Sequence, residues 1–226
     1  SQAVGKSKSY NLLMSEDVIA ALQAIKKLGI KVLAGKKYCE INGKGINNFR
    51  YKSGLIIDAK NSGTLGRLLL GLLIKSPKKI EIIGDKSLSK RDFSRVTVPL
   101  KKFGATFYHK AKNKLPLSIL GSQSPKGINY IENKGSAQCK SSVMLAALNS
   151  SGTTFIKAKK SRNHSELLFK YLKIPIKVKK TKKYDFINIK KPKKINAFNY
   201  QIPGDISSSA FFMVLTILTN NSKLLI

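Results

Sequence analysis

The chain has 226 residues, 42% of them hydrophobic, and a formal charge of +32 from 43 Lys and Arg against 11 Asp and Glu. That length and apolar content suit one large domain or two small ones and exclude a disordered chain. The longest apolar runs, Leu68–Ile74 and Ala210–Leu218, fall short of the roughly 18 residues of a membrane span, and no basic n-region with a cleavage site marks a signal peptide.

Taken in chain order, the pattern is a repeat. A helix over Val18–Leu28, with Val18, Leu22, Ile25 and Leu28 at helical spacing, stops at Gly29 and leads to strands over Ile30–Leu33 and Tyr38–Asn42. A strand over Leu55–Asp58 follows, then a small-residue turn at Asn61–Thr64, an apolar helix to Ile74 and a strand ending at Ile83. After the loop Gly84–Arg91 comes a second copy of the first pattern: helix Ser94–Phe103, stopped at Gly104, and strands Ala105–Tyr108 and Leu115–Leu120. Strand Ile128–Ile131, the turn Gly135–Gln138, an apolar helix and a strand to Lys157 then repeat the second pattern. The first pattern recurs as helix Ser165–Leu172 with strands Ile174–Val178 and Tyr184–Ile189. The second starts again at Tyr200–Ile202, with its helix opening at Gly204–Ser207 and a closing strand expected over Leu224–Ile226. Ser62, Ser136 and Ser207 are 74 and 71 residues apart, so each period near 70 holds two helices and about four strands. The fold class is α/β (α+β), with apolar helices expected to pack against sheets on several sides. Both ends of the sequence read as cut, at Ser1 inside a turn and at Ile226 inside a strand.

The charge invites a nucleic-acid reading. Against it, 38 of the 43 basic residues are Lys, whereas Arg is favoured for bidentate base and phosphate recognition. The lysines are scattered, with a local excess only at Lys177–Lys194, and there is no Trp. Solvated lysine faces are the plainer reading, so no specific nucleic-acid partner and no membrane partner are expected. Cys39 and Cys139 belong to no CxxC or His-bearing metal pattern, which points to a reduced, cytoplasmic compartment and no metal.

Three stretches can carry chemistry. The openings Asn61-Ser62-Gly63-Thr64, Gly135-Ser136-Ala137-Gln138 and Gly204-Asp205-Ile206-Ser207 put free N–H groups and a positive dipole end where an anion can bind, or they simply cap their helices. The loop Gly84–Arg91 brings two Lys and one Arg together as an anion clamp or as a solvated basic loop. In Ser161-Arg162-Asn163-His164-Ser165-Glu166, Ser165 or Asn163 suits a cap, Glu166 suits the helix dipole, and His164 is an acid–base group or a surface residue.

These stretches, in this order, resemble the motifs of the 5-enolpyruvylshikimate-3-phosphate synthase family. Asn61-Ser62-Gly63-Thr64 followed by Arg67 and Leu68 is similar to one. Gly84-Asp85-Lys86-Ser87-Leu88-Ser89-Lys90-Arg91 with Arg95 and Pro99–Ala105 is similar to a second. Gly135–Ser141, Ser161–Glu166 and Pro203–Ser208 are similar to three more. The resemblance implies six βαβαββ units (an inside-out α/β barrel) in two domains that close on substrate, with about three units present. Residues 1–199 would form a substrate-binding domain, its first unit truncated, and 200–226 the start of a second. It also implies transfer of the enolpyruvyl group of phosphoenolpyruvate to shikimate 3-phosphate, without metal or organic cofactor, by a protein that is a monomer when whole.

Carried over by motif, Ser136, Ala137, Gln138, Ser161 and Arg162 would bind shikimate 3-phosphate, and Gly63, Arg91 and Gln138 phosphoenolpyruvate, with Asn61 and Arg67 shaping that site. The catalytic acid and base would lie outside this chain. A Gly at 63 is the family's glyphosate-sensitive form. Asp92, Phe93 and Asn163 depart from the family pattern, and Asp92 would set a carboxylate beside Arg91. The related enolpyruvyl transferase that uses UDP-N-acetylglucosamine typically has a loop Cys near this Arg; Asp85–Arg91 has none. That enzyme and a basic nucleic-acid-binding repeat protein are the alternatives.

Overall fold

The computed structural model describes residues 1–225. The chain opens with β1 (Val4–Tyr10), α1 (Glu16–Lys27), β2 (Lys31–Ala34) and β3 (Tyr38–Lys44). It continues with β4 (Leu55–Asp58), α2 (Gly63–Leu72), β5 (Ile80–Ile83), the single turn α3 (Lys86–Ser89), α4 (Ser94–Lys102), β6 (Thr106–His109) and β7 (Leu117–Leu120). Next come β8 (Asn129–Glu132), α5 (Ala137–Ala147), β9 (Thr153–Lys159), α6 (His164–Tyr171), β10 (Ile176–Lys180) and β11 (Tyr184–Lys190). Last are β12 (Asn199–Gln201) and α7 (Ile206–Leu218).

The repeat read from the sequence is a repeat of topology. Three four-stranded sheets have the orders β4-β5-β7-β6, β8-β9-β11-β10 and β12-β1-β3-β2. In each, the first two strands are parallel and the other pairings antiparallel. In the first two sheets the parallel pair is joined by an apolar helix, α2 or α5, as a parallel crossover requires. In the third sheet the outer parallel strand, β12, comes from the far end of the chain and pairs Lys8 with Asn199 and Tyr10 with Gln201.

Helices α1 and α4 end where their glycines stand, because Gly29 (φ +80°) and Gly104 (φ +96°) take the left-handed conformation that closes a helix. α2 and α5 form the middle layer. Gly71 faces the Ser142 backbone so closely that any side chain there would collide with it, and Ser142 Oγ donates 2.8 Å to the Arg67 carbonyl. Leu69, Leu70, Val143, Met144 and Ala147 are all buried in this layer, beneath Ile57, Ile80, Ile82, Ile156 and Ile187 of the sheets.

Three expectations fail. β1 replaces the turn read at the chain start: its Lys6-Ser7-Lys8-Ser9 run has no apolar alternation, and it is held by seven antiparallel pairs with β3 and by ion pairs of Lys6 and Lys8 with Glu40. α7 is not packed on several sides: none of its residues is buried, and Phe211 and Ile217 are 80% and 81% exposed. Leu224 and Leu225 form no strand, and Ile226 lies outside the described residues.

Candidate functional site

The openings of α2 and α5 lie side by side. Ser62 caps α2 by accepting from Leu65 N at 3.1 Å, and Ser136 caps α5 by accepting from Cys139 N at 3.3 Å. Each cap orients the first turn and leaves its foremost N–H groups directed out of the helix, beside the positive end of the dipole. The third opening uses Asp205 instead, which accepts from Ser207 N at 2.9 Å.

Gln138 joins the first two openings. Its side-chain amide donates to Thr64 Oγ1 at 2.8 Å, and its Oε1 accepts from Arg67 Nη1 at 2.9 Å. The same Arg67 Nη1 donates to the Gly63 carbonyl at 3.2 Å, and the guanidinium lies 5.3 Å from the centre of the Phe93 ring. Burial lowers the Arg67 pKa from its ordinary value, and the like charges of Arg91 and Arg95 push the same way. A Cβ on Gly63 would meet Arg67 Nη1 at 2.7 Å and Arg91 Nη1 at 3.0 Å, so Gly63, Arg67 and Arg91 share one small space.

Arg91 reaches that space from the loop after β5. Asp85 caps α3 by accepting from Leu88 N at 2.6 Å, and Asn61 Nδ2 donates to the other Asp85 oxygen, which fastens the loop to the opening of α2. The sequence read Gly84–Arg91 as a plain loop; the Asp85 cap is the signal for the helical turn within it. Asp92 does not pair with Arg91. Its carboxylate accepts from Ser94 N at 2.6 Å and Ser94 Oγ at 2.9 Å, turning toward the first turn of α4.

On the other side of α5, Ser161 and Arg162 stand between β9 and α6. Ser161 Oγ is buried without a hydrogen-bond partner, and the exposed Arg162 donates from Nη2 to Ser207 Oγ at 3.3 Å. Asn163 makes no side-chain cap to α6, Ser165 Oγ pairs with Ser141 Oγ at 2.6 Å, and His164 is exposed. The sequence missed two buried supports. Glu132 accepts from Ser136 N at 2.9 Å, from Lys134 N and from Arg95, holding the loop before α5. Lys140 and Glu166, 1% and 3% exposed, pair beneath Arg162.

Thus Gly63, Arg67, Arg91 and Gln138 form one cluster, with Asn61 fastening its rim, while Ser136, Ala137, Ser161 and Arg162 lie around the α5 opening. An apolar cavity of about 490 Å³ lies between α2 and α1, against Leu65, Leu68, Val18 and Leu22, and reaches the α2 opening at Ser62 and Thr64. Among the described residues, no three His, Cys, Asp or Glu side chains are grouped to hold a metal ion, and no helix is long and apolar enough to cross a membrane. What the cluster offers is two helix N-termini and two neighbouring guanidinium groups, an arrangement suited to phosphate and carboxylate groups and to developing negative charge.

Fold and site together define a protein of repeated βαβαββ units with two helix openings and a guanidinium cluster brought to one face. Residues 2–226 match the family model described as EPSP synthase (3-phosphoshikimate 1-carboxyvinyltransferase). The chain is 38% identical over 225 residues to the 3-phosphoshikimate 1-carboxyvinyltransferase of Leuconostoc mesenteroides, covering 99% of this chain and 51% of that protein. It is 35% identical over 226 residues to that of Bacillus subtilis, again covering 99% and 51%. The solved EPSP synthase of Acinetobacter baumannii superposes with a TM-score of 0.86 at 33% identity, over 97% of this chain and 49% of that one. The chain belongs to the EPSP synthase family, and it spans about half the length of the curated relatives it matches.

Proposed function

We propose that this chain carries the shikimate 3-phosphate half of an enolpyruvyl transferase site. The whole protein would transfer the 1-carboxyvinyl group of phosphoenolpyruvate to the 5-hydroxyl of shikimate 3-phosphate and release phosphate, a step of the shikimate pathway toward chorismate and the aromatic amino acids. The observation that carries this reading is the Thr64–Gln138–Arg67 bridge, which brings two anion-binding helix openings from separate repeats to one place.

In this reading Ser136, the Ala137 backbone, Gln138, Ser161 and Arg162 hold shikimate 3-phosphate, and the partnerless buried Ser161 hydroxyl is a donor for its phosphate. Gly63, Arg91 and Gln138 receive phosphoenolpyruvate, with Arg67 and Asn61 shaping its pocket. The 5-hydroxyl oxygen adds to C2 of phosphoenolpyruvate as C3 takes a proton, giving a tetrahedral ketal phosphate. Loss of a proton from C3 and of phosphate from C2 then regenerates the double bond. Positioning and preorganised positive charge supply the rate, and no metal or organic cofactor is required; the proton-transferring groups lie outside this chain.

We further propose a division into 1–199 and 200–226, with β12 spanning the junction and α7 starting a second domain. The exposed apolar surface of α7 supports this, since such a helix needs a partner. The whole protein would be a cytoplasmic monomer with small-molecule substrates and neither a membrane nor a specific nucleic-acid partner. The test is phosphate release by the full-length protein with both substrates. Release that requires both supports the reading, and release indifferent to shikimate 3-phosphate contradicts it.

A further inference from the structure

We infer that the buried Lys140–Glu166 pair is a positioning device that sets the distance between the two parts of the shikimate 3-phosphate site, and this rests on the function proposed above. Lys140 sits in the first turn of α5, next to Gln138 and Cys139, with its side chain directed inward and 1% exposed. An ammonium is strongly hydrated, so burying it is costly unless its donors and its charge are both answered. Its charge and one of its three donors are answered, both from the far side of the site. Lys140 Nζ donates to the Arg162 carbonyl at 2.9 Å and lies 2.6 Å from Glu166 Oε1, in the first turn of α6. The contact with Glu166 lies outside hydrogen-bond geometry, so it acts as a charge pair.

Apart from the 2.6 Å Ser141–Ser165 hydroxyl pair, which joins α5 to α6 just after it, the Ser161–Arg162 segment has little else to hold it. Among the described residues, the Lys140 contact is the only hydrogen bond made by the backbone of Ser161 or Arg162. The helix that follows lacks a side-chain cap at Asn163. Lys160 is anchored to the buried Asp185 at 2.6 Å, and among the described residues the Arg162 side chain hydrogen-bonds Ser207 alone, at 3.3 Å. One buried ammonium therefore ties the loop bearing Ser161 and Arg162 to the helix turn bearing Ser136, Ala137 and Gln138. Glu166 neutralises that ammonium and fixes its direction, and neither residue need touch substrate. Errors of about 1 Å in such spacing are enough to weaken a charged contact severely.

The test uses the full-length protein. Lys140→Met or Glu166→Gln alone leaves a buried group without its partner, which lowers Tm. The double variant Lys140→Met/Glu166→Leu removes both charges at similar volume and should melt within a few degrees of wild type, since apolar replacements of buried pairs are often neutral or stabilising. It should nevertheless raise KM for shikimate 3-phosphate roughly tenfold or more, with KM for phosphoenolpyruvate within about twofold. Glu166→Gln keeps the Lys140–Arg162 hydrogen bond and serves if the double variant fails to fold. It should lower Tm while raising KM for shikimate 3-phosphate less than Lys140→Met does. A folded double variant with wild-type KM for shikimate 3-phosphate, or equal KM values for Glu166→Gln and Lys140→Met, would overturn the positioning role. A wild type whose rate ignores shikimate 3-phosphate would instead overturn the proposed function on which it rests.

Discussion

Gln138, at the opening of α5, accepts a 2.9 Å hydrogen bond from the Arg67 guanidinium of α2, across 71 residues of sequence. Its amide nitrogen is held by Thr64, so the side chain has one orientation and one partner for each end. Gln138→Ala in the full-length protein frees Arg67 and removes the proposed contact to substrate. A hydrogen bond to a charged group is worth about 1.5–3 kcal/mol, so kcat/KM should fall roughly 10- to 150-fold. Steady-state kinetics checks this, with the fold monitored by circular dichroism; unchanged kcat/KM would remove Gln138 from the site.

Gly63→Ala should act through the two guanidinium groups it crowds. The added methyl would stand 2.7 Å from Arg67 Nη1 and 3.0 Å from Arg91 Nη1. These are flexible ends, so the guanidinium groups move and the helix keeps its place. With overpacking of about 1 kcal/mol or more, KM for phosphoenolpyruvate should rise roughly fivefold or more. Inhibition by glyphosate, a longer mimic of phosphoenolpyruvate, should weaken further. Inhibition curves for both forms check this, and equal glyphosate inhibition would mean that residue 63 does not border the ligand.

Asp92 should act by holding Ser94 at the start of α4, with no effect on Arg91. Its hydrogen bonds from the Ser94 backbone and side chain hold its pKa below the ordinary Asp value of 3.8. A depressed carboxylate contributes stability that is full above 3.8 and lost as pH falls through the lower, folded value. Asp92→Ala should lower Tm at pH 7 by about 2–4 °C, for a helix-start hydrogen bond worth about 1 kcal/mol. The difference from wild type should shrink as pH falls below 3.8, while KM for phosphoenolpyruvate stays unchanged. Thermal melts from pH 7 to pH 2 check the first part; a lowered KM in the variant would show that Asp92 weakens Arg91 after all.

Deleting residues 204–226 should leave the three sheets intact and improve solubility. α7 buries none of its residues, and its exposed Phe211, Phe212, Leu215 and Leu218 form an apolar surface. β12 ends at Gln201, so its pairing with β1 survives the cut. The shortened chain should melt within a few degrees of the 226-residue chain and bind less of an apolar dye. A drop in Tm well beyond that would mean that α7 supports the fold.

Much of this was legible in the residues. Gly29 and Gly104 marked helix ends, and the spacing of Ser62 and Ser136 marked the repeat, because glycine conformation and helix capping are local requirements. β1 was hidden because its lysines and serines are held by backbone pairing and by Glu40, and neither depends on an apolar period. The turn of the Asp92 carboxylate toward Ser94 was not legible, because adjacency to Arg91 in sequence does not set side-chain direction. The Lys140–Glu166 pair joins residues 26 apart, and no local pattern shows a lysine turning inward.

The most direct test of the central claim is an NMR titration of the isotope-labelled 226-residue chain with shikimate 3-phosphate, beside shikimate and inorganic phosphate as controls. Without its second half the site stays wet, so binding should be weak and salt-sensitive, on the order of millimolar. The largest amide shifts should fall on Ser136, Ala137, Gln138, Ser161 and Arg162, and shikimate without its phosphate should produce almost none. Equal shifts with shikimate, or shifts centred on the lysine-rich 177–194 segment, would contradict that claim.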